Sequence, residues 1–197
     1  KKNFYQKDKR NVTHYGMTVE DNVINEIFKN LESKSNYKKR YSDIRKFNEK
    51  NKFKKKGIAI TPLKFGISFT TIHLNQAGAL VHIYTDGSVH LNHGGIEMGQ
   101  GTHTKIAQIV ANSLGLPYSL VHISSTNTAK VPNTSASAAS STTDLNGAAA
   151  LNAVAKIKLN LEKFIKKKYK IYNQEAIYKD QYIIFGNRQF EFKSIIQ

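Results

Sequence analysis

The sequence predicts an α+β fold, a mixed sheet with β-hairpins packed against helices. Three observations carry that expectation. Alternating apolar runs flank Asp86-Gly87 in ALVHIYTDGSVHLN, the pattern of a hairpin. Apolar residues recur at helical spacing in THTKIAQIVANSLGLP, and again at Ala150, Val154, Ile157, Leu161 and Phe164. A glycine-rich stretch, HGGIEMGQG, joins the hairpin to the first of these helices.

Taken in order, residues 1–17 lack periodicity and read as an extended lead-in. Thr18-Val19-Glu20-Asp21 has the chemistry of a helix start, with Thr18 as N-cap and acids in the first turn. Val23, Ile24, Ile27, Phe28 and Leu31 follow on one face, which the spacing predicts to be buried. A second, basic helix is expected over residues 37–51, with Tyr41, Ile44 and Phe47 as a thin apolar stripe. From Gly57 the texture turns apolar and β-branched (GIAITPLKFGISF), so the chain divides into a basic part, 1–56, and an α+β part, 57–197. There Asp86-Gly87 suits a type I′ turn. In the helix after the glycine stretch, Ile106, Ile109, Val110 and Leu114 share a face, with Gly115 and Pro117 as stop signals. Residues 120–124 form a short strand candidate. A long helix follows residue 143, and YIIFGNRQFEF is a last hairpin turning at Gly186-Asn187. FKSIIQ has no evident closing feature.

Composition narrows the function. With 40% hydrophobic residues, the chain can bury a core. Lys, Asn or Asp interrupts every apolar stretch, so no membrane span and no signal core is expected. The absence of cysteine leaves no disulfide, cysteine-bound zinc or iron–sulfur cluster within the chain, and points to the cytoplasm. Net charge is +16, and residues 34–56 hold eleven basic side chains against Asp43 and Glu49. Such a run suits a nucleic-acid-binding module or a solvated helical face. Lysine dominates arginine and no aromatic interleaving or RNP-type signature appears, so the solvated face is favoured.

The glycine stretch invites two phosphate-cradle tests. A dinucleotide fingerprint needs a third glycine where Thr102-His103-Thr104 stand; a P-loop needs Lys where Gln100 stands. Neither motif is present, yet their physics is. Glycines let backbone amides face an anion, and the helix behind supplies a positive dipole end. Gln100 both donates and accepts, which suits a heterocycle with mixed edges. Seven of the ten residues 134–143 are Ser or Thr, directly before the long helix. Two donor-rich helix starts suggest one large polyanionic cofactor held between them. Glu97 reads as a partner of the following helix dipole. His82, His90, His93 and His103 lack a ligand set at defined spacing and read as structural.

HGGIEMGQGTHTK together with VPNTSASAASSTTDLNG resembles the molybdenum-binding (large) subunit of the xanthine dehydrogenases, in the molybdenum hydroxylase family. NFYQKDKRNVTHYGM, GIAITPLKFGISF and LNQAGALVHIYTDGS look like the same family, so the resemblance covers nearly the whole chain. It implies that residues 57–197 are part of a molybdopterin-binding domain. Met98, Gly99, Gln100 and Gly101 would contact the molybdenum–molybdopterin cofactor, Gln100 near its metal-bearing end. Ser137, Ala138, Ala139, Ser140 and Thr142 would line the pterin and its phosphate or nucleotide tail. No residue here would bind metal directly, since the pterin dithiolene holds the molybdenum. Ile96, Ala136 and Ser137 depart from the family's commoner Thr, Pro and Thr.

The implied reaction is hydroxylation of a purine such as hypoxanthine or xanthine, with electrons leaving through Fe-S clusters to FAD on a partner subunit or domain. Another aldehyde or N-heterocycle oxidiser of the family is the alternative. The resemblance also implies a homo-oligomer of heterodimers and no nucleic-acid partner. The family's base glutamate and substrate-gripping residues lie outside this chain, which is therefore expected to be an inactive fragment with no catalytic residue of its own.

Overall fold

The computed structural model describes residues 1–67, 69, 71–130 and 134–197. Residues 131–133, the start of the second motif, and Ser68 of GIAITPLKFGISF lie outside the described residues. The chain forms two compact units, Lys1–Phe65 and Gly66–Gln197.

In the first unit, α1 (Ile24–Lys34) and α2 (Tyr37–Lys50) are joined through Asn36, which holds a left-handed φ of 50°. Thr18 is not an N-cap. It is bridged to Val12, the Val19 amide donates to the Asn11 carbonyl, and Asp21 turns left-handed at φ 46°. The helix therefore starts six residues later, where Asn22 Oδ1 accepts from the Ile24 amide at 3.3 Å. Nor is the apolar face of α1 buried. Val23, Ile27 and Leu31 stay about half exposed, while Phe28 takes Phe4 edge-on at 5.7 Å and the Lys1 ammonium over its ring at 4.4 Å.

The second unit carries the core and is the mixed α+β arrangement that the sequence predicts. Strands β1 (Ala79–Ile83) and β2 (Val89–His93) pair antiparallel. Helix α3 (Thr102–Leu114) follows β2, and β3 (Val121–Ile123) returns parallel to it, giving the order β1-β2-β3. The long helix α4 (Thr142–Tyr169) lies against α3, β1 and β2. A meander of β4 (Ile177–Lys179), β5 (Tyr182–Phe185) and β6 (Arg188–Glu191) is followed by α5 (Phe192–Ile196), a short helix the sequence did not disclose.

The core follows the predicted faces with one shift. Val89 and Leu91 of β2 alternate inward, while Ile106, Val110 and Leu114 present one face of α3. Ala150 and Val154 of α4 meet them, but the fully buried residue farther along is Ile165, not Phe164, which is 46% exposed. The first hairpin also departs from the type I′ expectation. Only Gly87 has positive φ (86°); Tyr84 accepts from the Gly87 amide and donates to the Ser88 carbonyl. That is a three-residue loop ending in a left-handed glycine. Asp86 Oδ1 fixes it by accepting from both the amide and the hydroxyl of Ser88.

The consequence for function is placement. The glycine stretch leaves the carboxyl end of β2 at the start of the crossover to its parallel neighbour β3, the end at which open α/β sheets bind ligands.

Candidate functional site

Residues 96–101 form a self-braced loop. Glu97 lies at its centre, accepting from the amides of Gly99 (2.8 Å), Gly101 (3.0 Å) and His103 (3.0 Å). Those amides, His103 first, hold its carboxyl down at about 2. The carboxylate thus meets two of the free amides at the start of α3, the dipole-partner role the sequence suggests. Gln100 is braced as well: Oε1 accepts from Met98 N at 2.6 Å and Nε2 donates to the Ile96 carbonyl at 2.8 Å. One donor and one lone pair of its amide remain free for a ligand.

The serine tract stands opposite. Ala139 and Ser140 both take left-handed backbone, at φ 51° and 53°. For residues with a Cβ this costs roughly 1–3 kcal/mol each and is characteristic of ligand clamps. It aims the chain into α4, where Leu145 is the first residue whose amide reaches back, to Ser141 O. The amides of Thr142, Thr143 and Asp144 have no helical acceptor. The two segments are tied directly, since the Ile96 amide donates to Ser137 Oγ at 2.7 Å.

Between them lies a cleft of about 350 Å³ lined by Met98, Gln100, Thr102, Lys105, Ser137, Ala138, Ser140, Thr142 and Thr143. Six of the nine residues singled out from the sequence thus share one wall or the other. Gly99, Gly101 and Ala139 do not line it; they set the backbone, with φ of 97°, 77° and 51°.

Sequence reasoning missed Thr102, Lys105 and Thr143. Lys105 carried a usable signal, because a cation in the first turn of a helix opposes the dipole and needs a nearby anion to offset it. Its Nζ donates to the Gln100 carbonyl at 3.0 Å. Thr102 is fully buried and among the described residues its hydroxyl has no partner, so an orphaned donor lies at the cleft wall. Among the described residues no three His, Asp or Glu side chains gather as a metal-ligand set. No helix is long and apolar enough to cross a membrane.

Residues 30–197 match the family model described as the molybdopterin cofactor-binding domain. The xanthine dehydrogenase of Dictyostelium discoideum is 51% identical over 160 residues, which is 81% of this chain and 12% of that protein. The xanthine dehydrogenase/oxidase of Gallus gallus is 52% identical over 151 residues, 77% of this chain and 11% of that one. The chain thus spans about an eighth or less of the length of these curated relatives. Among solved structures, quinoline 2-oxidoreductase from Pseudomonas putida 86 shares the fold with a TM-score of 0.72 over 94% of this chain and 25% of that one, at 17% identity. CO dehydrogenase from Oligotropha carboxidovorans gives 0.56 at 25% identity over 61% of this chain and 15% of that one. With the matched region extending over both walls of the cleft, the chain belongs to the molybdopterin cofactor-binding domain family.

Proposed function

We propose that the cleft is the pterin-binding part of a molybdenum–molybdopterin site, and that the intact protein is a xanthine dehydrogenase-like purine hydroxylase. The observation that carries this reading is the convergence of Gln100 and Ser140 on one cleft. Identity of about half to xanthine dehydrogenases across most of the chain supports the purine class.

The residues present fit such a group. The amides of Thr142 and Thr143, without a partner among the described residues, and the Lys105 ammonium suit its phosphate, while the Thr102 hydroxyl and the spare amide donor of Gln100 suit pterin edges. Met98, Gly99, Gln100 and Gly101 form one wall of the site, with Gln100 toward the metal-bearing end. Ser137, Ala138, Ala139, Ser140 and Thr142 form the other. When bound, the cofactor supplies two-electron redox chemistry at molybdenum. The contribution of this chain is to orient the group and to meet its charge with fixed donors that need no rearrangement. Xanthine or hypoxanthine as substrate, Fe-S clusters and FAD on a partner subunit or domain, assembly as a homo-oligomer of heterodimers and a cytoplasmic location complete the proposal.

The test uses the full-length protein. Gln100→Ala should lower molybdenum per polypeptide, or xanthine turnover, while the melting temperature stays at its wild-type value. Metal analysis, a xanthine assay and calorimetry measure the three. Wild-type molybdenum content together with normal turnover in the variant would count against the assignment.

A further inference from the structure

His93 ends β2 and is 1% exposed, yet its buried Nε2 has no partner among the described residues. Its Nδ1 accepts from the Gly95 amide at 3.1 Å, so the neutral ring carries its proton on Nε2. From the other side, the Thr126 hydroxyl lies 2.9 Å from the carbonyl oxygens of both His93 and Gly95. Gly95 is seated on α4: a Cβ there would stand 2.7 Å from Thr142 Cγ2 and 3.1 Å from Asn146 Nδ2. Asn146, itself buried, donates to the Thr142 carbonyl at 2.9 Å and stiffens that turn. So β2, the glycine loop and the first turn of α4 meet at one residue without a side chain. The next residue, Ile96, is the one bonded to Ser137 across the cleft.

We infer that His93 and Thr126 are positioning residues, latching the Gly94-Gly95 turn onto α4 and so setting the spacing of the two cleft walls. This rests on the cleft being the molybdopterin site. Neither side chain lines the cleft; both act through Gly95. Only a neutral imidazole can do so, because a protonated Nδ1 would face the Gly95 N–H donor to donor. Burial keeps the ring neutral.

The experiment follows molybdenum retained by the full-length protein during dialysis, alongside thermal unfolding, for His93→Leu, His93→Asn and Thr126→Val. His93→Leu removes the acceptor for Gly95 N–H and should release the metal about tenfold faster, the factor that ~1.4 kcal/mol, one net hydrogen bond, produces. His93→Asn keeps an acceptor oxygen near the Nδ1 position and should release it at the wild-type rate. Equal release by His93→Leu and His93→Asn, or wild-type release by His93→Leu, overturns the latch. Where His93→Leu does not fold, Thr126→Val, which keeps volume and loses the hydroxyl, decides: faster release supports the latch and wild-type release overturns it. A wild-type full-length protein that contains no molybdenum overturns the assignment of the cleft instead.

Discussion

At the level of single residues, the site is organised by two titratable groups that do not line the cleft. His93 is held down to about 4, chiefly by burial, then by the His103 ring 5.0 Å away, with Glu97 opposing. Its folded pKa lies below the unfolded value near 6.5, so the unfolded chain takes up the proton first. Its contribution to stability is therefore complete above pH 6.5 and is lost as pH falls through about 4. A displacement of this size in a group that is 1% exposed amounts to roughly 3 kcal/mol. Glu97, held at about 2, gives up its contribution to stability in a second, lower window, between about 4.5 and 2, and keeps its amide partners until the lower end of it. Urea unfolding of wild type and His93→Asn at pH 7 and pH 4.5 should show the wild type losing about 2 kcal/mol more than the variant over that interval. Equal losses would contradict a buried neutral histidine. The sequence made His93 legible only as structural. Gly95, through which it acts, is joined to Thr126 and α4 by contacts that bridge 31 or more residues, which no spacing rule reaches.

Among the elements, legibility followed length and period. Helix α3 and the β1–β2 hairpin were readable because thirteen residues of helical spacing, or two alternating runs, average out local ambiguity. The three-residue β4 and five-residue α5 are too short to display a period. The β4–β5 turn was hidden for another reason. Asp180 and Gln181 both adopt left-handed backbone (φ 50° and 69°), a type I′ pattern built without glycine or asparagine. In α4 the difficulty was phase. Across 28 residues a 3.6 period permits steps of three or four, and Phe164-Ile165 satisfies either. Packing chose Ile165, leaving Phe164 beneath the Lys168 ammonium, 5.2 Å from its ring. Ile165→Ala should thus cost about 2–5 kcal/mol. Phe164→Ala should stay within about 1 kcal/mol, as surface changes do. Chemical denaturation of both variants measures this, and equal losses would put the core on the wrong face of α4.

For the whole molecule, charge and apolar exposure pull in opposite directions. The polypeptide carries +16, concentrated on α2 and the residues after it, and no side chain of α2 is buried. It also exposes large apolar groups: Phe53 at 90%, Leu63 at 85%, Ile72 at 82% and Phe65 at 73%. At low ionic strength like charge keeps copies apart, whereas salt shortens the screening length from about 30 Å at 0.01 M to about 3 Å at 1 M. Apolar attraction is not screened in this way, so each exposed apolar group can meet another copy once charge repulsion is damped. The 197-residue polypeptide should therefore self-associate more as salt is raised from about 0.02 to about 0.5 M, seen as rising scattering intensity at constant concentration. A basic nucleic-acid module predicts the reverse, because polyanion-bridged complexes dissociate steeply as counterions compete. Scattering that falls with salt, with nucleic acid co-purifying at low salt, would reassign the lysines of α2 from a solvated face to an interface.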